Sequence, residues 1–213
     1  MKGYQFMVTL DHVQPAVWRQ IALPAELDFY DLHSVIQTAM GWTDSHLFSF
    51  ELEEAESTNR IRLLGDEESV EENFQQAQHF MQSPPEKGSY EESMFQHFIR
   101  TKVLLARDIH LDTYVEEIES FTYAYDFGDG WTHQVKLEKI IEDFEYDAPT
   151  ILAGEGDCPP EDVGGPPGYE EFKRVMKNKK DPEHAHMKAW AKEQGFKAFD
   201  IDEANETLEE EWC

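Results

Sequence analysis

The chain has 213 residues, with 45 Asp and Glu against 18 Lys and Arg and a formal net charge of -27. That imbalance disfavours non-specific binding to a phosphate backbone, which draws most of its affinity from Lys and Arg. With 40% hydrophobic and 13% aromatic residues, the chain is too apolar for disorder, and its length predicts a single domain, residues 1–213, able to bury a core without a disulfide.

Tyr4, Phe6, Val8 and Leu10 alternate with Gln5, Met7 and Thr9, the period of two of a half-buried strand. Val17, Arg19, Ile21 and Leu23, bounded by Pro15 and Pro24, predict a second strand that closes a hairpin with the first. Leu32, Val35, Ile36, Ala39 and Met40 fall at helical spacing, with Asp28 as N-cap and Gly41 past the end, which predicts a helix. Residues 46–52 alternate again and place His46, Phe48, Phe50 and Leu52 on one face.

Between about 54 and 102 the composition turns acidic and polar, with a break at Pro84 and Pro85. This stretch reads as a variable insertion with helices around Val70 to Met81 and Glu91 to Leu105. Thr113 to Glu119 reads as one or two further helical turns. Phe121, Tyr123, Tyr125 and Phe127 then precede Trp131, His133, Val135 and Leu137, which predicts a hairpin. With a three-residue loop at Gly128, Asp129 and Gly130, Phe127 faces Trp131, Tyr125 faces His133, Tyr123 faces Val135 and Phe121 faces Leu137. All apolar side chains then share one face. A loop stiffened by proline, CPPEDVGGPPGYEEF from Cys158, leads into helices at about Tyr169 to Asn178, at Asp181 to Glu193 and from Asp202.

PAVWRQI, DSHLFSF, YDFGDGWTH, CPPEDVGGPPGYEEF and DPEHAHMKAW together resemble the plasmid Ri open-reading-frame-three-like family, over about 1–53 and 103–208. The resemblance implies an α+β domain of plasmids, mobile elements and many chromosomes, and implies no activity. Some members of that family carry a transposon resolvase label. A serine resolvase needs a nucleophilic Ser set among arginines, whereas the arginines here are scattered.

Among candidate sites, Asp126, Asp129, His133 and His46 could ligate a divalent metal or act as acid and base. Beside that stands a structural reading in which the two Asp hold the turn and His133 is a core residue. Cys158, Glu161 and Asp162 could wall a ligand pocket, but acidic neighbours would raise a thiol pKa and repel a phosphate. Arg19 lies on the Val17 and Ile21 face, so it either snorkels at an edge or pairs with a carboxylate such as Asp126 or Asp129. His184 and His186 diverge on a helix and read as surface residues. Cys158 and Cys213 form no zinc set, and a reducing cytosol argues against a disulfide between them.

The expected fold is α+β, a mainly antiparallel sheet with helices packed on one face. The expected function is a non-catalytic, cytoplasmic binding or protein-interaction module, with Tyr125, Trp131 and the PPEDVGG loop as an aromatic recognition rim. The expected partner is a basic protein. No cofactor, membrane or direct nucleic-acid contact is expected, the start of the chain having no secretory signal and the chain no long apolar run. The alternative is a metal-dependent hydrolase or nuclease, which would require His46, Asp126, Asp129, His133, Glu161 and Asp162 to converge on one ion. An accessory role in DNA transposition through another protein is a third possibility.

Overall fold

The computed structural model describes residues 1–53 and 60–212, apart from the side chain of His97. The start of the acidic stretch, 54–59, and Cys213 lie outside the described residues. The strands are β1 (Gly3–Leu10), β2 (Trp18–Pro24), β3 (Phe48–Glu53), β4 (Arg60–Leu64), β5 (Thr101–Leu105), β6 (Ser120–Tyr125), β7 (Trp131–Ile141) and β8 (Thr150–Glu155). The helices are α1 (Phe29–Met40), α2 (Glu67–Gln82), α3 (Tyr90–Arg100), α4 (Gly165–Lys177), α5 (His184–Glu193) and α6 (Ile201–Trp212). All the strands join one sheet in the order β5-β4-β3-β6-β7-β1-β2-β8. Every pairing is antiparallel except β4 with β5. The architecture is α+β, as expected.

Alternation decides which face is covered. In β1, Tyr4, Phe6, Val8 and Leu10 are buried while Gln5, Met7 and Thr9 remain partly exposed. Helix α1 lays Phe29, Leu32, Val35, Ile36, Ala39 and Met40 into the core. It starts at a capping box, Asp28 accepting from the Asp31 N–H while Asp31 accepts from the Asp28 N–H, and ends at Gly41 with φ +83°. Helix α6 is pinned to β8 by Asn205, whose side-chain amide exchanges two hydrogen bonds with the Ile151 backbone.

The sheet is wider than the alternation predicts. Strands β4, β5 and β8 were missing from the expectation, and β5 occupies residues read as the end of a helix. The 120–141 hairpin keeps its predicted faces but not its predicted partners. Tyr125 pairs with Trp131, Tyr123 with His133 and Phe121 with Val135, because the loop runs from Asp126 to Gly130. Asp126 takes a left-handed backbone, φ +49°, as does Gly130, φ +72°, and the Gly130 N–H returns to the Asp126 carbonyl at 2.6 Å. A two-residue slip preserves the inside–outside alternation. Phe127, expected against Trp131, is instead 48% exposed. The helical turns expected at 113–119 are a 3-10 turn, Leu111–Thr113, followed by hydrogen-bonded turns in which the Val115 and Ile118 N–H groups donate to the Leu111 and Tyr114 carbonyls.

Arg19 is not at an edge, since β8 pairs outside β2. It is buried, and among the described residues its guanidinium donates to four carbonyls and to no carboxylate: Nε to Ala39, Nη1 to Trp18 and Glu155, and Nη2 to Gly156. Among the described residues, no helix is long and apolar enough to cross a membrane.

Candidate metal centre

The loop after β6 and the PPEDVGG loop meet because glycines let them. Asp129 Oδ2 accepts from the Gly164 N–H at 2.9 Å. Gly165 has φ +67°, and a Cβ there would stand 2.3 Å from the Asp129 carbonyl oxygen. Gly165→Ala is therefore expected to pry the loops apart and cost about 2 to 3 kcal/mol. A thermal unfolding midpoint equal to the parent's would contradict that.

Their meeting brings Asp126, Glu161 and Asp162 around His46, which sits just before β3. From His46 Nε2 the distances are 3.2 Å to Asp162 Oδ1, 3.7 Å to Asp126 Oδ2 and 3.9 Å to Glu161 Oε2. The ligand atoms of His46, Asp126 and Asp162 all lie within 4.8 Å of one another. Two of these residues, Asp126 and Asp162 (φ +56°), hold left-handed backbone conformations uncommon outside glycine.

Each inner carboxylate is used on one side only. Asp126 Oδ1 accepts from the N–H groups of Gly128 and Asp129, which leaves Oδ2 facing the imidazole. Glu161 Oε1 accepts from the Thr43 N–H and the Tyr125 hydroxyl, each at 3.0 Å. Its Oε2 has no hydrogen-bond partner among the described residues although the side chain is only 7% exposed. His46 Nε2 is likewise shielded and without hydrogen-bond geometry to any partner among them. Tyr125 OH accepts from the Ser45 N–H at 3.0 Å. Burial, reinforced by the Glu161 charge, pushes its pKa well up, so it remains the donor to Glu161.

A second network fixes the 41–46 loop that carries His46. Gln37 Nε2 donates to Tyr123 OH at 2.9 Å, so the Tyr123 proton goes to His33 Nδ1 at 2.8 Å and His33 Nε2–H donates to Asp44 Oδ1 at 2.9 Å. The Asp44 N–H closes the circuit on Gln37 Oε1. Burial lowers the His33 pKa, with Asp44 opposing, and the neutral ring suits both of its hydrogen bonds. His33 and Gln37 were missed because they sit among the apolar positions of α1, and Thr43 and Asp44 because they lie in the loop beyond its end. Only the polar character of two inward positions on an amphipathic helix signalled the first two.

Other expected site residues lie elsewhere. His133 is fully buried beside Trp42 and Tyr123 on the apolar face of β7, far in role from the loop carboxylates. Asp129 ties the two loops together and is not one of the ligand-bearing residues clustered at His46. Tyr125 and Trp131 are both buried, so they form no recognition rim; the exposed aromatic of that loop is Phe127. Arg19 pairs with neither Asp126 nor Asp129. Cys158 is buried and free, and its thiol pKa is raised chiefly by burial, more than Arg19 lowers it.

Three carboxylates around one imidazole nitrogen repel one another unless a cation lies between them. Ligands about 2.1 Å from a tetrahedral ion are about 3.4 Å apart, close to the spacings seen from His46. One imidazole among oxygen donors suits Zn or Mn better than Mg or Ca. Asp162, 59% exposed, and His46, 29% exposed, leave one side of the cluster toward solvent. Glu161 also lines a cavity of about 330 Å³ whose walls include Trp42, Thr43, Phe196 and Phe199.

Comparison with known proteins places the chain in a family. A family model described as plasmid pRiA4b ORF-3-like protein matches residues 2–207. The chain is similar to the uncharacterized protein y4hQ of Sinorhizobium fredii (strain NBRC 101917 / NGR234), 34% identical over 200 residues that cover 93% of this chain and 84% of that one. Its fold is similar to the crystal structure of MM3350 from Methanosarcina mazei Go1, titled a protein of unknown function, with a TM-score of 0.70, 27% identity and coverage of 95% and 97% of the two chains. On sequence motifs, extent and fold together, the chain belongs to the plasmid pRiA4b ORF-3-like family.

Proposed function

We propose that this protein is a divalent-metal-binding module in which His46, Asp126 and Asp162 hold the ion and Glu161 faces it from the buried side. This departs from the expectation of a module without metal, and it keeps the expectation that the protein works by binding. The observation that carries it is Glu161 Oε2, buried without a hydrogen-bond partner among the described residues and 3.9 Å from His46 Nε2. Burying a carboxylate oxygen unpaired is costly, and a cation among these residues would offset that cost.

The test is thermal unfolding of metal-stripped protein titrated with Zn, Mn, Mg and Ca. A ligand at 100 times its Kd adds about 2.7 kcal/mol to a native state that alone binds it, or about 5 to 10 °C for a chain of this size. Zn or Mn is expected to give a saturable rise of that order, with Mg and Ca giving less. Asp126→Asn keeps the turn's acceptor and tolerates the left-handed backbone, so it should abolish the rise without unfolding the protein. Glu161→Gln should weaken the response to metal and raise the midpoint of the metal-free protein by relieving charge repulsion. Equal rises in parent and Asp126→Asn would place any binding elsewhere, on the other acidic groups.

A hydrolytic use of the same centre is the second reading, favoured by the solvent-facing side at Asp162 and the adjoining cavity. Catalytic ions keep an open position for water. It expects metal-dependent turnover of an activated ester or phosphodiester that disappears in Asp126→Asn. The absence of turnover by the metal-loaded protein across such a screen would leave binding alone.

A further inference from the structure

The acidic stretch builds a helical hairpin whose apolar surface is only half used. Phe80 of α2 meets Phe95 and Phe98 of α3, at ring-centroid distances of 6.2 and 5.5 Å, and these three rings hold the helices together. A separate stripe runs along α2 through Val70, Phe74, Ala77 and Met81, at i, i+4, i+7 and i+11, the spacing of one helix face. No residue of α2 is buried. Phe74 and Met81 are 57% and 62% exposed, and Met94 and Ile99 of α3 are also exposed. An amphipathic helix ordinarily owes most of its stability to covering such a face.

The charge around the stripe selects what could cover it. From Asp66 to Arg100 there are eight carboxylates, including Glu67, Glu71, Glu72, Glu91 and Glu92, against Lys87 and Arg100. A second copy would bring the same excess, and an anionic membrane would be repelled in the same way. A cationic segment would meet complementary charge at the rim and apolar contact along the stripe. We propose that the α2–α3 hairpin docks a basic amphipathic helix of another protein, with apolar anchors about two turns apart against Phe74 and Met81 and Lys or Arg flanks against the glutamates. This surface is distinct from the metal centre and does not depend on it.

The probe is a fluorescently labelled Leu/Lys amphipathic peptide of about 18 residues, with a scrambled peptide of equal composition as control, read by anisotropy. The expected result is saturable binding that weakens as salt rises. Phe74→Ser with Met81→Ser should lower the affinity at least tenfold, and Asp126→Asn should leave it unchanged. Both substitutions in the double variant are at exposed positions, and circular dichroism checks that its fold is retained. Equal binding of the scrambled peptide, or of the double variant, would reduce the effect to general acidity and overturn the proposal. Self-association in sedimentation that the double variant loses would make the occupant a second copy. Attachment to phosphatidylglycerol vesicles lost in the same variant would make it a membrane, and either result would also overturn the proposal.

Discussion

Arg19→Leu is expected to lower the unfolding free energy by about 3 to 5 kcal/mol, the range for removing one side of a buried, charged hydrogen-bonded group. The guanidinium donates to Ala39, Trp18, Glu155 and Gly156 over 2.7 to 3.0 Å. Ala39 lies in the last turn of α1, where carbonyls lack helical partners and the helix dipole favours a cation. The Phe199 ring sits 3.5 Å from Arg19 Cζ, in the range of a cation–π contact. Gly154 leaves room for both groups, since a Cβ there would lie 2.8 Å from Arg19 Cδ and 2.8 Å from Phe199. Burial pulls the Arg19 pKa down to about 10, so the group still carries its charge at neutral pH. One residue thus joins the end of α1, β2, the end of β8 and the segment before α6. Arg19→Lys should recover less than half of the loss, because one ammonium nitrogen cannot reproduce donors placed on three separate nitrogens. Urea unfolding measures both variants. A loss below about 1 kcal/mol for Arg19→Leu would show that the carbonyls find other donors.

The second large effect is a dependence on acid. Burial pushes the His133 pKa from 6.5 down to about 3, with only a long contact to the Tyr123 carbonyl opposing it. Below pH 6.5 the unfolded chain takes up a proton that the folded chain refuses. The penalty is absent above that value and grows by about 1.4 kcal/mol per pH unit as the pH falls toward 3. Over the whole window it reaches about 4 to 5 kcal/mol. His33 is shifted in the same direction, so removing His133 alone leaves part of the sensitivity. Between about pH 7.5 and 5.5, both above the pI near 4.5, His133→Leu is expected to gain about 1.4 kcal/mol relative to the parent. Comparing the two proteins cancels the relief of charge repulsion that acidification brings to both. A difference between them that does not change with pH would mean that His133 takes up its proton in the fold as readily as in the unfolded chain.

The elements that alternate cleanly were legible in the sequence: β1, β2, β3, the 120–141 hairpin and α1. What was lost had physical reasons. Strand β4, RIRLL, does alternate, but it is short and lies inside an acidic run that reads as solvated loop. Strand β5 follows α3 at Thr101 with no Gly or Pro between them, so nothing local marks the change from helix to strand. Strand β8, TILAGE, has small residues and a Gly where an edge strand needs little packing. At the site, the alternation of the hairpin puts His133 on the apolar face, where it is buried. It could not foresee that a left-handed Asp126 would lengthen the turn and bring Asp126, Glu161 and Asp162 to His46. Their convergence depends on two loops meeting through Asp129 and Gly164, a contact between residues 35 apart that has no periodic signature.

The sheet order also sets the sequence of events during synthesis. Strand β1 pairs on one side with its neighbour β2 and on the other with β7, where Leu10 meets His133 and Gly3 meets Ile141. Its inner side chains therefore stay half-covered until β7, about 120 residues later, has been made, and closing so long a loop slows folding. Nascent chains halted before Trp131 should remain sensitive to protease along their whole length, with protection arriving together once β7 has left the ribosome. An early, stable N-terminal fragment would contradict this. The β1–β2 hairpin is thus made well before the strand that seals it, and during that interval its open edge is exposed to misassociation.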